Sequence, residues 1–171
     1  MASLKYRCLK LNPITEEVAV AASQYFRHNG INLVYLDGSG HATLALTATA
    51  TLYGYAIVPK GRGAGSDDNY WKSSATAGKD KIQVVTVSAN ADAKFLLPAG
   101  GTAIGDTTVT ESMKGNACDI VAVNDGTATF VDVDTSSTDV LLIVGVGTEV
   151  DGGAATDVIV KFNIAKVQAD T

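Results

Sequence analysis

The sequence predicts an all-β protein, built as a compact β-barrel or β-sandwich of about eight or more short antiparallel strands. Thr and Val, which favour pleated sheet, are abundant, and 17 glycines supply residues that tolerate turn dihedrals. Short stretches in which apolar and polar residues alternate recur along the chain, separated by clusters of Gly, Asp, Asn and Ser. A length of 171 residues is enough for one domain with its own core.

The clearest element is a hairpin near the C-terminus. Residues 140–150 form a strand, residues 151–157 form a turn, and residues 158–164 form a second strand. The core face of that second strand carries alternate apolar residues, which are Val158, Val160, Phe162 and Ile164.

Residues 1–14 are predicted to form an extended N-terminal arm, followed by a single β-rich domain over residues 15–171. Basic and apolar side chains alternate in the arm, and Pro13 interrupts regular pairing. The arm is either a frayed terminus or ordinary first strand, or a segment that docks on a neighbouring chain by strand addition. In the second case its contact residues are Leu4, Lys5, Tyr6, Arg7, Leu9 and Lys10.

Two periodicities compete over residues 15–28. Thr15 can cap a helix whose first turn contains Glu16 and Glu17, whereas Val18 and Val20 alternate as they would in a strand. We prefer a short helix or turn for this segment.

The central part of the chain continues the strand pattern. Residues 31–36 and the long alternating run 41–58 are predicted to pair as a hairpin around the turn 37–40, with a threonine-rich face that is either solvated or packed on another subunit. Residues 60–78 are predicted to form a loop. Tyr70 and Trp71 within it are adjacent large aromatics, which either anchor an interface or pack onto their own domain.

Five further strands are predicted before the C-terminal hairpin. Residues 82–89 and 94–98 form the first two. Residues 107–111 are expected to pair with residues 119–123, and residues 127–133 return after a tight turn at 124–126.

No catalytic constellation is recognisable, so the sequence predicts a protein that is not an enzyme and has no catalytic, cofactor-binding or metal site. Five aspartates near turns do not match a calcium-binding loop and are predicted to be solvated: Asp132, Asp134, Asp139, Asp151 and Asp157. Cys8 and Cys118 have no metal-binding spacing and are expected to be free thiols.

The distribution of charge bears on partners. The net charge of −5 divides into +2 over residues 1–72 and −7 over the remainder. The acidic C-terminal part argues against nucleic-acid binding, which needs a basic face. No window approaches the about 18 consecutive apolar residues of a membrane span, and no secretory signal is evident. We therefore expect synthesis in a cytoplasm, without a membrane or nucleic-acid partner.

Three segments of the C-terminal half resemble the small β-rich decoration (cement) proteins of tailed-bacteriophage heads. They are residues 97–106 (LPAGGTAIGD), 142–155 (LIVGVGTEVDGGAA) and 158–162 (VIVKF). The resemblance implies a capsid protein, often a homotrimer, that binds the major capsid protein on the outer surface of the virion and stabilises the shell. No enzyme activity and no cofactor go with it. The arm residues, with Tyr70 and Trp71 as second candidates, would then contact the capsid or a sister subunit.

The alternative is a carbohydrate- or host-surface-binding module of a phage head fibre or tail component. That function requires an exposed aromatic platform, for which the sequence offers Tyr53, Tyr55, Tyr70 and Trp71.

Overall fold

The computed structural model describes residues 7–10, 15–60, 69–122, 129–134 and 137–168. Within these ranges the fold is all-β, with thirteen strands and no helix of seven residues or more, so the predicted fold class is confirmed. Three short 3-10 helices cover Glu111–Met113, Gly147–Glu149 and Ile164–Lys166. The strands are β1 (Arg7–Lys10), β2 (Glu16–Ala19), β3 (Tyr25–Arg27), β4 (Leu33–Leu36), β5 (Ala42–Leu44), β6 (Gly54–Ile57), β7 (Tyr70–Lys72), β8 (Lys81–Thr86), β9 (Lys94–Gly100), β10 (Ala117–Val121), β11 (Phe130–Asp132), β12 (Leu141–Val146) and β13 (Asp157–Phe162).

Five strands of the C-terminal half close a barrel. Their order is β9, β11, β10, β12 and β13, and β13 returns to pair with β9. The predicted C-terminal hairpin is confirmed as β12 and β13, which pair antiparallel with Leu141 opposite Phe162. The pairing of β11 with β9 is parallel, as are the isolated bridges of Val20 with Ala42 and of Leu52 with Val167, so the expectation of antiparallel strands fails at these places.

The barrel core follows the alternation expected for β13. Val158, Val160 and Phe162 are buried, and the ring of Phe162 packs edge-on against Phe95 with centroids 5.2 Å apart. Ile164 was expected on the same face but is 61% exposed. The reason is that β13 ends at Phe162, and the chain then turns into a 3-10 helix.

The predicted strand at residues 107–111 does not form. Val109 lies in a loop, where its side chain is buried and its N–H donates to the carbonyl oxygen of Ala155 at 2.7 Å. The strand β10, expected to pair with this segment, pairs instead with β11 and β12. The predicted turn at 124–126 lies outside the described residues.

The N-terminal half forms a second sheet in the order β2, β8, β6, β4 and β5, and a two-stranded ribbon of β3 and β7. Of the short helix or turn preferred for residues 15–28, the helix does not form, because this segment contains β2, a turn and β3. β2 pairs with β8 along its whole length, and the buried Val20 joins the core of this sheet. Tertiary pairing therefore outweighs the local helix-capping signal.

The long strand expected over residues 41–58 is interrupted. β5 ends at Leu44, and β6 begins only at Gly54. Between them the hydroxyl of Thr47 accepts a hydrogen bond from the N–H of Ala122 at 3.1 Å and donates to its carbonyl oxygen at 3.0 Å. This contact joins the threonine-rich segment to the barrel. It differs from both environments that the sequence predicts for this segment, which are solvent and another subunit.

The C-terminal segment also joins the two sheets. The N–H of Leu52 donates to the carbonyl oxygen of Lys166, and the N–H of Gln168 donates to the carbonyl oxygen of Leu52, both at 2.9 Å. One hydrophobic cluster contains residues from both sheets, including Leu33 and Leu52 beside Phe95 and Phe162. The sheet and the barrel therefore share a core.

Candidate interaction surface

The predicted arm is partly a strand of the barrel sheet. β1 pairs antiparallel with β9, with Cys8 opposite Phe95, so residues 7–10 form an ordinary first strand and do not extend away from the domain. β1 can pair here because β11 pairs with the same edge of β9 only at Ala99 and Gly100. Leu9 is half-buried. Leu4, Lys5 and Tyr6, together with the side chains of Arg7 and Lys10, lie outside the described residues, so their contacts stay a prediction.

The two adjacent aromatics of the predicted loop lie on opposite faces of the ribbon. Trp71 is 5% exposed and packs against Phe26 with ring centroids 5.8 Å apart. This position corrects the assignment of Trp71 as a docking residue, because its ring belongs to the core. Tyr70 is half-buried on the other face, and its role in docking stays a prediction.

The outer face of the ribbon combines aromatic and basic side chains. Tyr70 packs edge-on against Tyr25 at 5.1 Å between centroids, and the Nζ atom of Lys72 lies 4.7 Å from the centre of the Tyr25 ring. Arg27 is on the same face, one alternation further along β3. Tyr25 could not be predicted as a neighbour of Tyr70 from the sequence, because the pairing of β3 with β7 joins segments far apart in the chain.

The aromatic platform required by the carbohydrate-binding alternative is not assembled. Tyr53 is buried and its hydroxyl donates to the carboxylate of Glu16. Tyr55 packs against Phe95 at 5.6 Å between centroids, and Trp71 lies in the core. Of the four expected platform residues, Tyr70 alone remains on an outer face of the ribbon.

A shallow groove of about 340 Å³ lies beside β4. Tyr35, Leu46, Ala48, Thr49, Ala50 and Thr51 line it. None of these side chains is charged, so the lining offers no group for acid–base or metal chemistry.

The carboxylates near turns organise loops. The carboxylate of Asp106 accepts hydrogen bonds from the N–H groups of Gly101, Thr102 and Ala103, which lower its pKa to about 2. Asp157, expected to be solvated, is buried and accepts a hydrogen bond from the N–H of Ala154 at 3.0 Å. Among the described residues, no group of three His, Cys, Asp or Glu side chains is placed to hold a metal ion.

The two thiols are not joined. Cys8 is half-buried and Cys118 is buried, and neither forms a disulfide, as expected from the sequence. Burial raises the pKa of Cys118 well above its usual range, and the negative charge of Asp119 raises it further. Cys118 is therefore a packing residue of the barrel core without thiolate chemistry at neutral pH.

Three side-chain amides close exposed backbone groups at strand edges. Gln24 accepts from the N–H of Leu44 at 2.9 Å at the edge of β5. Asn32 accepts from the N–H of Arg27 at 2.8 Å and donates to its carbonyl oxygen at 2.9 Å. Gln168 makes the same pair of bonds with Leu36, at 2.7 and 2.9 Å. Each amide takes the place of a neighbouring strand.

The outer edge of β2 is covered at its C-terminal end by β5. The N–H of Val20 donates to the carbonyl oxygen of Asp80, so the backbone groups of Val18 and Val20 point toward β8. Because backbone groups alternate along an antiparallel strand, those of Glu17 and Ala19 point away from β8. At the end of this outer edge Val20 forms a parallel bridge with Ala42 of β5, and the N–H of Ala21 donates to the carbonyl oxygen of Ala42 at 3.0 Å.

No helix among the described residues has the length and apolar character needed to cross a membrane. Comparison with protein-family models found no match, and searches of the curated proteins and of the solved structures found none either.

Proposed function

We propose that the chain is a decoration (cement) protein that binds the outer surface of the icosahedral head of a tailed bacteriophage and stabilises it. In this proposal its partners are the major capsid protein and sister copies in a homotrimer, and its location is the outer surface of the virion. It has no catalytic role.

The observation that carries the proposal is the arrangement of the three segments that resemble decoration proteins. They contain most of β9, β12 and β13, and β13 pairs with β12 on one side and with β9 on the other. The segments therefore form one continuous part of the barrel wall, although about 35 residues of sequence separate the first from the second. Three segments that lie side by side in one sheet support the resemblance to decoration proteins more strongly than three separate strand-and-turn patterns would.

The glycines of these segments have a structural reason. A Cβ atom on Gly153 would lie 1.8 Å from the carbonyl oxygen of Gly147, and one on Gly147 would lie 2.4 Å from that of Ala154. The turn between β12 and β13 is thus packed backbone against backbone, and it admits no side chain at either position.

The physical demands of decoration are compatible with this chain. A decoration protein binds at many equivalent positions on a symmetric lattice, so modest contacts at each subunit add up through multivalency. The candidates for those contacts are the basic arm and the outer face of the ribbon, which carries Tyr70. Both belong to the N-terminal half, whose net charge is positive, whereas the barrel lies in the acidic remainder.

The test is co-sedimentation of the purified chain with undecorated heads assembled from the major capsid protein of the same phage. Removal of residues 1–12 would also remove β1 from β9, so a loss of binding by that variant would not distinguish docking from misfolding. A better variant reverses two arm charges, Arg7→Glu with Lys10→Glu. Its matched control is Lys60→Glu with Lys79→Glu, which makes the same change of charge at exposed positions elsewhere.

We expect saturable pelleting of the wild type and of the control, and weaker pelleting of the arm variant. The difference in pelleting between the arm variant and the control should shrink as the salt concentration is raised, because salt screens the charges. Equal pelleting of the arm variant and the control would remove the arm from the interface. A wild-type chain that stays in the supernatant would overturn the proposal, and retention on glycan arrays would then favour the carbohydrate-binding alternative.

A further inference from the structure

The turn that follows β3 contains an asparagine directly before a glycine. β3 ends at Arg27, and the turn continues through His28, Asn29 and Gly30. Asn29 is exposed, and its side-chain amide makes no hydrogen bond within the part of the chain that the structure describes. In the full sequence no other asparagine is followed by glycine. The amide carbon of Asn29 is therefore accessible and adjoins a backbone N–H whose own residue has no side chain.

The hydrogen bonds of the turn are strong around this dipeptide and weak at the dipeptide itself. The N–H of His28 donates to the carbonyl oxygen of Asn69 at 3.0 Å. The side chain of Asn32 accepts from the N–H of Arg27 at 2.8 Å and donates to its carbonyl oxygen at 2.9 Å. The N–H of Gly30 reaches that same carbonyl oxygen only at 3.4 Å, and its own carbonyl oxygen lies 3.4 Å from the Asn32 amide, both beyond the usual range for N–H···O bonds. The nitrogen of Gly30 can thus give up its bond while the carbonyl oxygen of Arg27 stays paired with Asn32.

The packing of the turn requires glycine at position 30. A Cβ atom there would lie 2.9 Å from the Cβ atom of Arg27, which is closer than two side-chain carbons approach. Because residue 30 has no side chain, nothing of its own obstructs an attack by its nitrogen on residue 29. The structure therefore places the least hindered possible neighbour directly after an exposed asparagine.

We propose that Asn29 is a site of spontaneous deamidation. The backbone nitrogen of Gly30 loses its proton and attacks the side-chain amide carbon of Asn29. The new N–C bond closes a succinimide ring, and the side-chain nitrogen leaves as ammonia. Water then opens the ring at one of its two carbonyl carbons, which gives aspartate or isoaspartate. Water is the only co-reactant, and either product makes the net charge one unit more negative than −5.

The pair formed by Asp37 and Gly38 shows that an acidic or amide residue before glycine is not reactive in every turn. The carboxylate of Asp37 accepts hydrogen bonds from the N–H of Ser39 at 2.8 Å and from the N–H of His41 at 2.9 Å. These bonds hold the carboxylate in its charged form, which is a poor electrophile, and fix its direction. The structure thus distinguishes Asn29, whose amide is unrestrained, from Asp37, whose carboxylate is held.

The product changes the charge beside the outer face of the ribbon. Asn29 lies two residues beyond Arg27, which shares that face with Lys72. A new carboxylate there lowers the positive charge of this end of the ribbon. Isoaspartate also adds a methylene to the main chain, which the turn can accommodate because the pairing of β3 with β7 ends at Arg27.

The test is incubation of the folded wild type at physiological temperature and at several mildly alkaline pH values. Peptide mapping by mass spectrometry and enzymatic methylation of isoaspartate measure the products. We expect aspartate and isoaspartate to accumulate at residue 29, at a rate that rises with hydroxide concentration because the Gly30 nitrogen must lose its proton. Asn29→Gln should abolish the signal, since its longer side chain would have to close a larger ring.

An internal control is offered by Asn116. It is also exposed, and its side chain makes no hydrogen bond among the described residues, but Ala117 follows it. It should stay intact while Asn29 reacts. Deamidation of Asn116 as fast as that of Asn29 would contradict the role of the glycine.

A second incubation, in urea, tests the contribution of the turn. An Asn29 that deamidates in the unfolded chain but stays intact in the folded one would overturn the inference, because the turn would then block the attack. Reaction in the folded chain supports it. Pelleting with heads enters neither result, so a failure of this inference and a failure of the decoration role are distinguishable.

Discussion

Replacement of Asp119 by asparagine is expected to lower the free energy of unfolding by about 3 kcal/mol at neutral pH. Asp119 is on β10, is 5% exposed, and holds the segment that leads into β12. Its carboxylate accepts from the N–H and hydroxyl of Ser137 at 2.8 and 2.6 Å, from the N–H of Thr138 at 2.9 Å and from the N–H of Asp139 at 2.8 Å. An asparagine would turn an NH₂ group toward some of these donors and leave them unsatisfied.

The pH dependence follows from the pKa of the same carboxyl. Burial alone would raise it, but the hydrogen bonds from Ser137, Asp139 and Thr138 outweigh burial and lower the pKa of Asp119 from 3.8 to about 2. Because the folded-state pKa lies below that of the unfolded chain, this contribution is complete above about pH 4 and is lost as the pH falls toward 2. A shift of this size corresponds to about 2 kcal/mol.

The assay is urea unfolding of the wild type and Asp119→Asn at several pH values between neutral and about 2. The difference in unfolding free energy between the two chains should shrink from about 3 to about 1 kcal/mol, because a protonated aspartate resembles asparagine. Asp151→Asn, at an exposed turn, is the matched control and should show a much smaller difference. A difference for Asp119→Asn that stays constant with pH would refute the assignment of the low pKa to this hydrogen-bond network.

Three further predictions concern the ribbon, the β12–β13 turn and the buried thiol. Trp71→Ala should lower the free energy of unfolding in urea by about 3–5 kcal/mol, because it leaves a cavity beside Phe26. Tyr70→Ala should lower it less and, if the ribbon docks, should weaken pelleting with heads. A larger loss of stability for Tyr70→Ala than for Trp71→Ala would contradict the placement of Trp71 in the core and of Tyr70 on the outer face. Gly153→Ala should lower the unfolding midpoint markedly, since its Cβ has no room, while Gly38→Ala, with nothing within 4 Å, should not. The Cys118 thiol should react with a thiol reagent only after unfolding, and rapid reaction of the native chain would contradict its burial.

Local patterns predicted the elements whose partners are close in sequence. The hairpin of β12 and β13 was predictable because turn residues separate two alternating runs, and both strands find each other across that turn. Pairing between distant segments was not: β1 with β9 and β3 with β7 depend on which edges remain open after the rest of the sheet has formed. For the same reason the sequence predicts an extended arm, and it does not distinguish Trp71 as a docking residue from Trp71 as a core residue.

The side-chain amides show why the interaction surface was harder to predict than the fold. Gln24, Asn32 and Gln168 lie among residues that a pattern assigns to turns or to a terminus, yet each one completes the hydrogen bonding of a strand edge. An edge is recognised as open only when every such substitute for a strand has been placed, which requires tertiary structure. β2 illustrates the consequence, because β5 covers the end of its outer edge through the bridge of Val20 with Ala42, a contact that the sequence of Glu16–Ala19 does not indicate.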